Sequence, residues 1–152
     1  MTSLLSQCLD ILTTSNNTIE INEVTEVIES MKKSPSVLVN DILVVFQEAP
    51  ESPSKHQLIL ILLSQILAQT WTTLSKENRE SVKELLLSVL ETSSQQYHFT
   101  VSEAIHACGV VSRLQLGWIE AIDWIERNLF ESGDLGKQLL SLQLMREIAS
   151  SY

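Results

Sequence analysis

The sequence predicts an all-α fold: an α-α superhelix of about eight helices in four antiparallel pairs. Three observations predict it. Apolar residues recur at intervals of three and four, with little period-2 alternation. Glycine and proline are scarce, four and three in 152 residues, too few for the tight turns of a sandwich or barrel. Polar punctuation also recurs between the periodic segments at distances that group them in twos.

Segment one, about residues 3–13, buries Leu5, Cys8, Leu9 and Leu12, and 14–18 is a polar loop. Segment two, about 20–33, turns Val24, Val27, Ile28 and Met31 inward. It spreads Glu23, Glu26 and Glu29 over its other side, with Lys32 and Lys33 in the last turn, where the helix end favours cations. Pro35 suits the first turn of segment three, about 35–48, whose inward residues are Leu38, Ile42, Val45 and Phe46. The β-branched pair Val44-Val45 makes a strand the local alternative, but the spacing and length favour helix. Pro50 and Pro53 bracket a loop. Segment four, about 54–72, is apolar at every position from Leu58 to Leu63, so it is expected to be the central helix, covered on several sides. Gln65, Gln69 and Thr72 mark its polar strip.

Ser75 caps segment five, which runs to about residue 92 with Val82, Leu85, Leu86 and Val89 inward. Segment six starts at Thr100, where Thr100-Val101-Ser102-Glu103 reads as a capping box. Its face is Val101, Ala104, Cys108 and Val111, and Gly109 leaves room for a neighbouring backbone. Segment seven, about 118–131, has a narrow stripe of Trp118, Ile122, Ile125 and Leu129, with Trp124 pointing away from it. Ser132-Gly133 ends it. Segment eight, about 135–150, steps Leu140, Leu144 and Ile148 by four beside Leu139 and Leu142.

Paired, the segments form one helical-repeat domain over 1–152, with pairs at about 3–33, 35–72, 75–116 and 118–150. The spacing lies in the range of two-helix solenoid repeats. Neither the tetratricopeptide nor the ankyrin signature recurs, and HEAT-like pairing fits best. A closed eight-helix bundle is the alternative architecture.

Net charge is −9, which argues against a nucleic-acid binder or attraction to an anionic membrane. No apolar run reaches the roughly 20 residues needed to span a bilayer. The first charge is Asp10, so residues 4–12 do not read as a signal peptide, and the chain reads as intracellular and soluble. Cys8 and Cys108 are too few for a disulfide framework and lie on apolar stripes, where a thiol is ordinarily an inert core group. His56, His98 and His106 lack the spacing of metal ligands, and no phosphate-binding or nucleophile-elbow motif occurs. His106 and Cys108 face different sides of a helix, and Glu120 and Asp123 read as solvated surface. No enzyme, cofactor or metal is therefore expected. Trp71 and Trp118 are expected to pack between repeats, and Trp124 to be an exposed anchor for a partner.

The stretch Glu29-Ser30-Met31-Lys32-Lys33-Ser34-Pro35 resembles the end of the first repeat in the importin-β superfamily. An apolar helix over Val39–Phe46 follows, then a long helix ending in Trp71. Next come Glu84-Leu85-Leu86-Leu87-Ser88-Val89-Leu90 and the run from Val101 through Glu103-Ala104-Ile105 to Val110-Val111-Ser112-Arg113, before Gly117-Trp118. Their order over about residues 4–148 is similar to the N-terminal end of the exportins, particularly the branch of exportin-4 and exportin-7. Each motif alone is unspecific.

The resemblance implies stacked HEAT repeats that bind the small GTPase Ran in its GTP form along the second helix of each early pair. It also implies shuttling between nucleus and cytoplasm, with protein cargo and nuclear pore components as further partners. Carried over by position, the contact residues are Glu23, Glu26 and Glu29, then Gln65, Gln69 and Thr72; carboxylates there suit a basic patch. Solvated helix faces are the plain alternative for each. Receptors of that family have many more repeats, so a fragment or truncated receptor and a short protein keeping only its first repeats both fit. With no polar capping helix after segment eight, its outer face is expected to be exposed. The expected function is a protein–protein interaction module in nucleocytoplasmic transport; the alternative is a generic helical scaffold binding a basic protein.

Overall fold

A computed structural model of the chain describes residues 4–48, 53–92, 98–114 and 118–150. These residues form eight α-helices and, among them, no strand: α1 (Leu4–Thr14), α2 (Thr18–Met31), α3 (Pro35–Glu48), α4 (Pro53–Thr70), α5 (Lys76–Thr92), α6 (His98–Leu114), α7 (Ile119–Glu126) and α8 (Leu135–Ala149). The protein is all-α, in repeat-like order. Consecutive helices pack on each other as α1 with α2, α3 with α4, α5 with α6 and α7 with α8. Across the pairs, α1 packs on α3 and α3 on α5, while α4 packs on α6 and α6 on α8.

The helix ends follow local chemistry. Asn17 sits in extended backbone, and its side-chain oxygen accepts hydrogen bonds from the backbone N–H of Ile19 at 3.0 Å and Glu20 at 3.4 Å. That cap starts α2 at Thr18, inside what the sequence reads as loop. Lys32 and Lys33 follow the last helical residue rather than occupying the final turn, and Lys32 reaches back to Glu29 at 2.8 Å. α3 runs over the expected residues, Val44 and Val45 included: burial of Leu38, Val39, Ile42 and Val45 on one helical face outweighs the strand preference of the β-branched pair. Ser75 accepts from Asn78 N–H at 3.1 Å and caps α5 as expected. α6 is already under way at His98, so Thr100 is not its N-cap; the side chains of Thr100 and Val101 lie outside the described residues, as do Pro50 and Gly117. Asp134 accepts from Gly136 N–H at 2.8 Å and opens α8.

α4 is the central helix. Ile59, Leu60, Leu62, Leu63, Ile66 and Leu67 are all buried, and α1, α3 and α6 cover it. It closes in a 3₁₀ turn, Trp71–Thr73, which leaves Thr72 outside the α-helix. Arg79 holds that turn: Nε donates to the Trp71 carbonyl and Nη2 to the Thr72 carbonyl, both at 2.9 Å, while the guanidinium lies 5.8 Å from the Trp71 ring centre. Trp71 and Trp118 are buried as expected.

Several inward assignments change. Val27 of α2 is exposed. Around Gly109 the close neighbour is a side chain rather than a backbone: a Cβ there would lie 2.7 Å from Glu147 Cγ of α8. The buried face of α7 is Trp118, Ala121, Trp124, Ile125 and Asn128, with Ile122 outside it. After Glu126 the helix widens into a π turn, Arg127–Glu131, where Asn128 Nδ2 donates to the Trp124 carbonyl at 2.8 Å.

Leu63 is fully buried in α4. Leu63→Ala is expected to cost about 2–5 kcal/mol, read as a lowered urea midpoint with unchanged slope.

Candidate functional site

A cleft of about 170 Å³ lies between α1, α2 and α4. It exists because α2 packs chiefly on α1 and α3, leaving α4 incompletely covered on that side. Its floor is apolar: Leu9 and Leu12 of α1, Ile28 of α2, and Leu58, Ile61 and Leu62 of α4. Its rim is polar: Thr25, Glu29 and Lys32 of α2, and Gln65 of α4. Thr25 Oγ1 donates to the Ile21 carbonyl at 2.8 Å, and Lys32 Nζ donates to Glu29 Oε1 at 2.8 Å. Gln65 is exposed on the opposite wall.

The structure therefore brings Glu29 and Gln65, two of the sequence-expected contact residues, to one cleft. Gln69 is exposed one turn beyond Gln65, and Thr72 is exposed in the 3₁₀ turn that follows. Glu23 and Glu26 are exposed but turn away from the cleft, since each three-residue step rotates about 60° around a helix with 3.6 residues per turn. The apolar floor was missed by the sequence reading. Its signal was present: Leu58, Ile61, Leu62 and Gln65 form an i, i+3, i+4, i+7 strip on α4.

Trp124 requires a correction. It is 2% exposed, buried between helices rather than offered to a partner. Its Nε1 donates to Glu91 Oε2 of α5 at 2.8 Å, and Lys137 of α8 lies 3.3 Å from Glu91 Oε1. Lys137 also donates to the Glu91 carbonyl. One residue near the end of α5 thus ties α7 and α8 to the third pair. The indole hydrogen bond foremost, with the Lys137 ammonium, holds the Glu91 carboxyl below the usual glutamate range.

Burial pushes the Cys108 thiol up, with the nearby Glu147 carboxylate adding to it, and burial raises Cys8 as well; neither is poised as a thiolate. His106 is exposed, 3.8 Å from Glu147 Oε1. Among the described residues no cluster of three His, Cys, Asp or Glu could hold a metal ion, and no helix is long and apolar enough to cross a membrane.

Comparison with protein-family models, with curated proteins and with solved structures gives no match.

Two tryptophans, Trp118 just before α7 and Trp124 within it, permit a paired test. Among the described residues Trp118 Nε1 is buried with no hydrogen-bond partner, whereas Trp124 Nε1 has Glu91. Trp124→Phe is expected to cost about 1 kcal/mol more than Trp118→Phe, because only the former removes a made bond. Glu91, with its lowered pKa, contributes stability that is present above the unfolded glutamate value and lost as pH falls through the folded one. The stability difference between wild type and Glu91→Gln should therefore shrink below about pH 4, measured by urea melts across pH.

Proposed function

We propose that this chain is a helical-repeat protein–protein interaction module of nucleocytoplasmic transport, binding a Ran-type small GTPase in its GTP form. The observation that carries the binding site is the cleft between α2 and α4, where an apolar floor is bounded by Glu29 on one wall and Gln65 on the other. An apolar floor supplies area that leaves water on binding. A carboxylate and an amide at the rim fix the orientation of a partner that brings cations. The resemblance of the ordered motifs to exportins supplies the GTPase and the shuttling between nucleus and cytoplasm.

The second reading is a scaffold for a basic protein outside transport. It is favoured by the same cleft, since an apolar trough beside Glu29 also suits an amphipathic helix with a basic edge, whatever its source.

Capture of Ran loaded with GTP and with GDP separates the two readings. Selective capture of the GTP form supports the transport reading; equal or absent capture favours the scaffold. Within either reading the three carboxylates should differ. Glu29→Lys is expected to weaken binding most and Glu23→Lys least, following their positions relative to the cleft. Reversal of Glu23, Glu26 and Glu29 together should weaken it about tenfold and flatten its salt dependence. Equal effects from all three single reversals would move the contact off the cleft and onto the outer side of α2.

A further inference from the structure

α8 carries apolar residues on two sides, and among the described residues it is covered on one only. Its inner face holds Ser141 and Leu144 buried, with Leu140 and Ile148 packed against the core. Its outer face carries Leu135, Leu139, Leu142 and Met145, at 68%, 51%, 45% and 42% exposed. Their spacing of four, three and three puts them in one stripe opposite the core. α4 is also apolar around its circumference, but helices lie against it on several sides.

We propose that the outer face of α8 is a self-association surface, and that its occupant is α8 of a second copy lying antiparallel across a two-fold axis. Area and charge point to that occupant. The four side chains leave on the order of 400 Å² of apolar surface in water, the size of the largest patch on an ordinary monomer. Phe130 is also exposed, in the π turn packed on α8, and the stripe by itself is about half of the roughly 800 Å² that one partner of a stable complex contributes. The charges of the stripe are unlike at its two ends. Asp134 precedes Leu135, whereas Arg146 lies among the outer residues near the far end. An antiparallel copy sets Arg146 of each chain near Asp134 of the other and opposes the two helix dipoles favourably. A parallel copy would set like charges together. With Leu139 of one copy facing Leu142 of the other, the axis passes between them, so the surface is complementary to itself.

The wild-type chain is expected to show a concentration-dependent dimer in sedimentation equilibrium. Leu139→Glu, at an exposed position, should raise the dimer dissociation constant at least tenfold while leaving the far-ultraviolet circular dichroism unchanged. Arg146→Glu should raise it several-fold, the more so at low salt. Single cysteines placed along α8 test the geometry without reference to affinity, because Cys8 and Cys108 are buried. Under mild oxidation, Leu142→Cys should cross-link to itself, being near the axis and within the Cα separation a disulfide spans; Leu135→Cys should not. A monomer throughout the micromolar range overturns the proposal. So does a dimer that survives Leu139→Glu, or cross-linking as efficient at 135 as at 142.

Discussion

The structure depends on one constraint: α4 is apolar around most of its circumference, and a narrow strip marked by Gln65 and Gln69 is all it can leave to water. Leu62 and Ile66 lie on one flank, Leu60 and Leu67 on the other, and all four are buried. A single neighbour cannot cover more than one flank, so α4 requires α1, α3 and α6 together. The three pairs that α4 joins are thereby committed to one stack before any polar contact contributes. The ion pairs are secondary to this. Lys55 reaches Asp10 at 2.6 Å and fastens α4 to α1, but the carboxylate is half exposed, where such pairs contribute little.

The cleft follows from the same constraint being incompletely met. α2 leans on α1 and α3, and the strip of α4 that runs through Leu58, Ile61 and Leu62 is left with only partial cover. Gln65 and Gln69 extend that strip with side chains that tolerate water. The polar residues of α4 are therefore where its burial stops, and this is why a feature legible as a polar strip in sequence is also the wall of a cleft. What the sequence did not display was which helix would face that wall. Glu23, Glu26 and Glu29 look equivalent as a series of i, i+3 carboxylates, and only the way α2 packs on α1 and α3 singles out Glu29.

Helices whose faces are defined by aliphatic side chains were legible; α3 is the clear case, with both its boundaries and its inward residues readable. α7 was not, for a physical reason. Only one aliphatic side chain of size, Ile125, lies on its buried face, beside a small residue, two indoles and an amide, and an indole combines apolar area with a donor that is ordinarily satisfied when buried. Whether Trp124 turns in or out depends on an acceptor at the end of another helix, Glu91, more than thirty positions earlier, and periodicity within α7 carries no trace of it. The π turn after Glu126 adds an offset that a 3.6-residue period does not anticipate. α2 was misplaced at its start because Asn17 sits in a polar run in which any of several residues could cap.

α8 and α4 pose the same problem with different outcomes. Both are apolar on opposite sides, so the distribution of residues around each helix implies two layers of cover. For α4 the chain supplies both layers. For α8 the described residues supply one, through α6, α7 and the π turn, with Lys137 reaching Glu91 at the end of α5. Ser141 and Leu144, buried on the inner face, fix the rotation of the helix, and that rotation presents Leu135, Leu139 and Leu142 together. A stripe so fixed is already in the geometry in which a partner would meet it, and the ordering cost of association falls accordingly.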